Sequence, residues 1–443
     1  MKALVHLVAA LMMAVPVAAQ RTTFTEHVAP ILYTNCVPCH RHDGGAPFPL
    51  VTFKDAAKRA HMLKLVTEDR YMPPQRNDPA YRQFAHERRL TDAQIATIAR
   101  WVADSMPEGP RHKAPRQPVF PTGTALPRTP DVVLRMRSDV PIPGTNTQHY
   151  ICYAIPFEFD RERSINAIDY IPGNRLLSHH ASYQVLEVAP DVQLDSMPEY
   201  FVYAKEQPID DDHDYRFFGL ISPVYGPPIE TFHGGWLPGM SPLMFPKGSG
   251  FRLPRRGVLL IRNLHYAPTT RDTTDRASIA MLESRTPATR PITFAAFKPI
   301  ITQDQTVIPA DSIVEHRIHV RIRDSISVLT INPHMHLLGA SFTVWANTPS
   351  GDSIPMVHIP HWDFDWQEFY RYPKPVVLPA GTILNARATF NNTNSNPRNP
   401  NVPPKDVAFE VGMDDSNEMM RLVLLVLAYQ KGDEHLDLVR LGR

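Results

Sequence analysis

The sequence predicts a multidomain chain, a small all-α unit followed by two all-β domains built as antiparallel sandwiches, and three observations predict it. Helix-start patterns cluster before residue 110. From Asp131 onward, β-branched, aliphatic or alternating runs such as Val258 to Ile261, Ile313 to Ile322 and Ser341 to Ala346 are separated by Pro, Gly, Asn and Asp. Between the two regions, Pro110 to Pro130 holds prolines 110, 115, 118, 121, 127 and 130, a semi-rigid, extended linker that keeps the first unit near its neighbour without packing it rigidly. The chain of 443 residues exceeds one ordinary core. Boundaries are expected at 20–110 for the α unit, 111–130 for the linker, and 131–284 and 285–443 for the β domains.

The chain opens with Met1-Lys2, an apolar run from Ala3 to Val15, and Val17-Ala18-Ala19 before Gln20. A charged start, a short apolar core and a small-residue exit are the marks of a secretory signal at 1–19, cleaved after Ala19. That run is too short for a comfortable span of the bilayer and no later stretch is long and apolar enough. A periplasmic or secreted protein without stable membrane insertion is therefore expected. The 46 basic and 45 acidic residues give a net charge of +1 without long single-sign runs, which leaves no footprint for nucleic acid or anionic lipid. No Gly-rich phosphate loop and no Gly-x-Ser-x-Gly elbow occurs, so nucleotide cofactors and a hydrolase triad are not supported.

Within the α unit, Thr23-x-x-Glu26 caps a stripe of Val28, Ile31 and Leu32. Thr52-x-x-Asp55 opens a second helix through Val66, and Thr91-x-x-Gln94 a third with Ile95, Ile98, Ala99 and Val102 at helical spacing. After the first lies Cys36-Val37-Pro38-Cys39-His40. Cys-x-x-Cys-His attaches a c-type haem, the cysteines forming thioethers and His40 supplying the proximal ligand. A redox dithiol is the rival, but the immediate histidine and the exported setting favour haem. Only one other cysteine exists, Cys152, so there is no disulfide framework. Three short helices around one such motif resemble a small class-I cytochrome c over about residues 20 to 110. A thioether in the sixth position raises the potential of such a haem, and Met72 in Tyr71-Met72-Pro73-Pro74 is the expected ligand. Met62 lies on an apolar helix face and reads as core.

In the β region, His334-Met335-His336 aims two imidazoles at one side of a strand, half of a metal site. His179-His180 are neighbours, which a regular strand would point apart, so sharing an ion needs a twist, a bulge or different ring nitrogens. His265 stands in Asn263-Leu264-His265-Tyr266, and Met419 in Asn417-Glu418-Met419-Met420. Met420, beside Val423 and Leu424, reads as core, while Met413 in a loop stays open as the alternative sulfur. His358 and His361 read as loop residues. Three imidazoles suit both Cu(II) and Cu(I), and two imidazoles with a thioether favour Cu(I), the state that meets O2.

Taken together, these stretches resemble the copper type II, ascorbate-dependent monooxygenases, the family of dopamine β-monooxygenase and peptidylglycine α-hydroxylating monooxygenase. The resemblance spans nearly all of residues 131 to 443, in the family's order. It implies jelly-roll-like domains, a first copper on His179, His180 and His265, and a second, catalytic copper on His334, His336 and Met419. Leu337-Leu338-Gly339 completes the His-x-His motif, and Trp362-Asp363-Phe364-Asp365-Trp366-Gln367 resembles the family's Asp-Phe-x-x-Gln segment. Two departures stand out. This region has Cys152 alone where the animal enzymes are disulfide-rich. Asn332 occupies the place of the Arg that peptide-amidating members set two residues before His-x-His, and Arg421 is either a substitute anchor for an anionic substrate or an exposed strand charge. The expected function is hydroxylation of a C–H bond of a small organic substrate with O2. Two copper ions and one c-type haem serve as cofactors, and an external donor feeds the haem. The alternative is a non-catalytic haem and copper protein that relays electrons or carries copper.

Overall fold

The computed structural model describes residues 21–203, 211–285, 288–409 and 417–441. The export signal expected at 1–19 and the alternative sulfur of Met413 lie outside them. No helix among the described residues is long and apolar enough to cross a membrane.

Capping decides where the helices start. Thr52 accepts from the Asp55 N–H at 3.2 Å while the Asp55 carboxylate accepts from the Thr52 N–H at 2.9 Å, and Thr91 and Gln94 do the same at 3.2 and 2.9 Å. Each reciprocal pair satisfies two otherwise orphaned donors, and helices Phe53–Lys58 and Asp92–Ala103 follow. Thr23 caps Phe24–Val28, which runs into Ala29–Asn35. The helix expected from Thr52 through Val66 is instead broken at Arg59 and resumes as Ala60–Glu68. There the chain tightens, the Arg59 N–H reaching Ala56 and Ala57 carbonyls, and the guanidinium lies 4.8 Å over the Phe48 ring. Phe24, Val28, Leu32, Leu50, Leu63, Ile98 and Trp101 form a core of their own beneath these helices.

The described residues are mostly β-sheet, 37% strand against 14% helix, in several antiparallel sheets. In one sheet, Arg256–Tyr266 lies between His149–Glu158 and Ser178–Glu187, with Ile229–Trp236 beyond. A second sheet centres on Arg163–Ile171 and Ser278–Glu283. Tyr153, Ile155, Ile168, Tyr183, Phe251 and Ile261 fill the space between them, each worth about 1.5–3 kcal/mol on burial. The chain passes to the next pair of sheets between Arg290–Pro291, paired with Ser249 and Gly250, and Thr293–Phe297, paired with Arg421–Ala428. In that pair Ile326–His334 lies between Arg421–Ala428 and Tyr370–Leu378, facing a sheet of Ser312–Arg321, Ile383–Asn392, Gly339–Asn347 and Ser353–Ile359. His358 therefore lies on a strand, its ring beside Tyr81, and not in a loop.

Ile326–His334 is buried at every position except its two ends, where alternation would be usual for a one-sided antiparallel strand. One face carries Val328, Ile331 and Met335 into its own sandwich. The other brings Leu329, with Leu425 and Leu427 alongside, into the core of the preceding one. The two β units thus share a packed boundary.

The helical unit is also docked, against the expectation that the linker would hold it only loosely. Phe84 leaves its own unit to pack in the second β core against Tyr370 and Tyr372, at 4.8 and 5.2 Å. An apolar ring in a polar loop finds its burial there. The Asp78 N–H donates to the His358 carbonyl at 2.8 Å and the Ala85 N–H to that of Arg371 at 2.7 Å. Linker residues Thr124 and Ala125 donate to the Asp169 carboxylate at 2.6 and 2.8 Å.

Candidate metal centres

His179, His180 and His265 converge, with one ring nitrogen of each within 4.8 Å of the others. Two irregularities in the pairing of Ser178–Glu187 with Arg256–Tyr266 bring this about. Asn263, at φ +47, adds a residue before His265, and His179 is the extra residue between the pairs His265 with His180 and Tyr266 with Ser178. A bulge turns neighbouring side chains toward one side, which answers the geometric problem of an adjacent pair. The Nδ1 atoms of His179 and His180 are 3.3 Å apart, too close for both to carry a proton. His180 Nε2 faces the Asn263 amide at 3.2 Å, while neither nitrogen of buried His265 has a hydrogen-bond partner among the described residues. Tyr150 stacks on the His265 ring at 4.3 Å.

Burial, with repulsion from neighbouring imidazoles, holds His180 well below its ordinary pKa and His265 down to about 3. Burial lowers His179 too, against the pull of Asp365 and Asp363. All three rings are neutral near pH 7 and offer lone pairs. Buried polar atoms without partners are expensive, and the two on His265, beside the His179 and His180 rings, fit a divalent or monovalent d-block ion held by the three imidazoles.

The second group is built on Ile326–His334 and the entry to Arg421–Ala428. The register pairs His334 with Arg421 and ends there; the flanking Met335-His336 and Met419-Met420 lie outside the strands. Met335 and Met420 belong to the second core, as expected for Met420. Met419 is 1% exposed, yet it belongs to none of the apolar clusters formed by the described residues. His334, His336 and Met419 stand next to these methionines in sequence and lie outside the core that holds them. The His334 and His336 rings are 5.1 Å apart. Gln367 donates to the Phe364 carbonyl at 2.9 Å, which turns its oxygen toward His334 Nδ1. His336 Nδ1 meets the Asn417 carbonyl at 2.7 Å. With each Nδ1 carrying the proton, Nε2 is the lone-pair nitrogen of both rings. Burial brings His334 down to about 3.

Sequence reasoning missed Glu418. Its carboxylate accepts from the backbone N–H groups of His336, Leu338 and Met419, clamping the two halves of the group together, and burial pushes it up to about 8 against those donors. An acid directly ahead of Met419-Met420 and an apolar strand was the available sign. Gly339 is explained as well: a Cβ there would lie 2.6 Å from Trp362, whose indole donates to the His336 carbonyl at 3.1 Å. Trp362–Gln367 meets both histidine groups and the helical unit. Trp366 is 6.2 Å from the His179 ring, Gln367 holds His334, and Asp363 pairs with Arg76 of the helical unit at 2.7 Å and with Arg398 at 2.8 Å.

In the helical unit, Cys36 caps the helix Ala29–Asn35 and both thiols are free. Burial and the neighbouring Cys39 push Cys36 up to about 12, the opposite of what thiol exchange needs. His40 Nδ1 meets the Phe48 carbonyl at 3.0 Å, which leaves Nε2 as the lone-pair nitrogen, and burial keeps the ring neutral. Two thiols and an oriented neutral imidazole fit a covalently held haem. Met72 follows Ala60–Glu68, its N–H donating to the Val66 carbonyl at 3.0 Å, and no hydrogen bond or ring contact joins it to His40.

No family model and no curated protein matches this chain. Among solved structures, the subviral particle of the infectious bursal disease virus capsid protein VP2 is similar at 7% identity over 69% of this chain and 75% of that one, with a TM-score of 0.18. The structures of the Gx and Gt strains of that virus are similar at 9% and 11% identity, over 70% and 71% of this chain and 76% and 75% of theirs, each with a TM-score of 0.17. Scores of that size do not establish a shared fold.

Proposed function

We propose that the chain is an exported copper-dependent monooxygenase that hydroxylates a C–H bond of a small organic substrate, fed by a fused c-type haem. The observation that carries the reading is the convergence of His179, His180 and His265 with two unpartnered, buried ring nitrogens. An all-α cytochrome c unit ahead of two jelly-roll-like sandwiches is the architecture it requires. Copper at these groups would supply one-electron redox chemistry and, where Met419 softens the ligand set, the affinity for O2 that Cu(I) has.

What the chain's own residues do follows from their contacts. Gln367 and the Asn417 carbonyl hold the His334 and His336 rings with Nε2 outward. Phe364, its ring centre 5.8 Å from that of His336, limits water there. Asn332 donates to the Gln367 and Glu368 carbonyls at 3.3 and 3.0 Å, so it braces this segment and offers no cation to a peptide carboxylate. Small, non-peptide substrates are favoured for that reason.

Metal analysis of the purified protein, followed by O2 uptake and product analysis on a panel of small alkyl-aromatic compounds with a reductant, tests the reading. Two coppers per chain and O2-dependent alcohol formation are expected. A single copper, or reduced protein that consumes no O2, would leave an electron relay or copper carrier.

A further inference from the structure

We infer that the loop around Pro238 and Gly239 is the contact through which electrons leave the haem unit for the three-histidine centre. The inference rests on the proposed haem at Cys36, Cys39 and His40 and the proposed copper at His179, His180 and His265, and it concerns which residues join them.

The contact includes a sulfur of the Cys-x-x-Cys-His motif. Cys39 Sγ lies 3.7 Å from the Pro238 carbonyl oxygen, although 199 positions separate them in sequence. A glycine on each side makes room. A Cβ on Gly239, whose φ is +82, would stand 2.8 Å from Cys39 Sγ and 2.3 Å from Arg88 Nη1. A Cβ on Gly45, in the loop after His40, would stand 3.0 Å from the Pro238 Cβ. Distances under about 3 Å are below van der Waals contact for carbon, so no side chain fits at Gly239 while the two loops keep this spacing. Arg88 closes the contact by donating to the Gly239 carbonyl at 2.9 Å.

From Pro238 the path inward is short. Leu237 leads to Trp236, the last residue of Ile229–Trp236, and the antiparallel register sets Trp236 opposite Ala181, the neighbour of His180. The helical unit makes another link, from Arg76 to Asp363, which leads toward His334. It starts four residues from Met72. A cysteine sulfur that held a c-type haem would, by contrast, be joined to it by a covalent thioether, so the Pro238 contact would lie against one of the group's own attachments. The step is one electron: haem iron(II) becomes iron(III) as copper(II) becomes copper(I). No proton need move, and an external one-electron donor protein restores the haem.

The test uses the whole protein with haem attached and copper loaded, without O2. The haem is reduced by a light pulse or by rapid mixing with a one-electron reductant, and its reoxidation is followed by absorbance while the copper signal is followed by electron paramagnetic resonance. Gly239→Val forces the loops apart, Arg88→Met removes the tether and Arg76→Leu breaks the other link. Slower haem reoxidation in the first two and an unchanged rate in the third is the expected result. Variants are compared at equal copper content and with the haem spectrum of the parent, which sets misfolded protein aside. A parent rate in Gly239→Val, or slowing confined to Arg76→Leu, would overturn the inference and leave the monooxygenase reading standing. Parent protein that binds no copper at the three histidines would instead bring down the proposed function, and this inference with it.

Discussion

Replacing His265 by leucine separates the demands of folding from those of metal binding. Both ring nitrogens of this 5% exposed histidine lack partners, and a buried polar group without a hydrogen bond costs about 1–3 kcal/mol. Leucine removes that cost but gives up the stack on Tyr150 at 4.3 Å, worth roughly 0.5–1.5 kcal/mol. The copper-free variant should therefore be more stable than the copper-free parent by about 1 kcal/mol at pH 7, a rise of ~2–4 °C for a unit of this size. Acid sharpens the contrast. The folded His265 takes a proton only near pH 3, whereas the unfolded chain takes one near 6.5. Its stabilising neutral state is thus fully effective above about 6.5 and is lost as pH falls toward 3, at about 1.4 kcal/mol per unit. Between pH 6.5 and 5 the parent should lose about 2 kcal/mol more than the variant. Thermal unfolding of chelator-treated protein across that range, paired with metal analysis of untreated protein, reads both effects. A variant that melts below the parent, shows no widening gap on acidification and keeps two coppers would refute the assignment of these nitrogens to a metal.

Met419→Leu keeps the buried volume, so it should cost under about 1.5 kcal/mol in the copper-free protein while lowering bound copper from two to one. Glu418→Gln places an N–H2 group where the carboxylate accepts three backbone donors. A loss of roughly 1–3 kcal/mol in melting experiments is expected, together with weaker copper binding at His334 and His336. Arg76→Leu leaves Asp363 paired with Arg398 and the Arg88 contact with Gly239 in place, so the chain should stay folded and docked, with a loss of roughly 1–3 kcal/mol in melting experiments.

Several features were legible in the sequence because they are local. Capping boxes at Thr52 and Thr91 mark helix starts on chemistry confined to four residues, and a single intervening residue keeps the His334 and His336 rings together. The bulge at His179 was legible only as a requirement. Nothing in Ser178-His179-His180 specifies it; the insertion belongs to a pairing with Arg256–Tyr266, about eighty residues away, in which Asn263 tolerates positive φ. Glu418 and Gln367 act by hydrogen bonds to backbone and ring atoms distant in sequence, which composition does not encode. The docking of residues 75–89 was hidden for a related reason. The stretch is polar and reads as a surface loop, and the one apolar ring in it, Phe84, shows its role only when Tyr370 and Tyr372 are beside it.

The strand Ile326–His334 has a mechanical consequence. A beam clamped along both edges and pressed from above and below cannot swing, and here Leu329, Leu425 and Leu427 are embedded in the neighbouring sandwich while Val328 and Ile331 anchor their own. Hinge opening between the β units would tear apolar surface from both cores at once. The span between the two groups of imidazoles is therefore set when the chain folds.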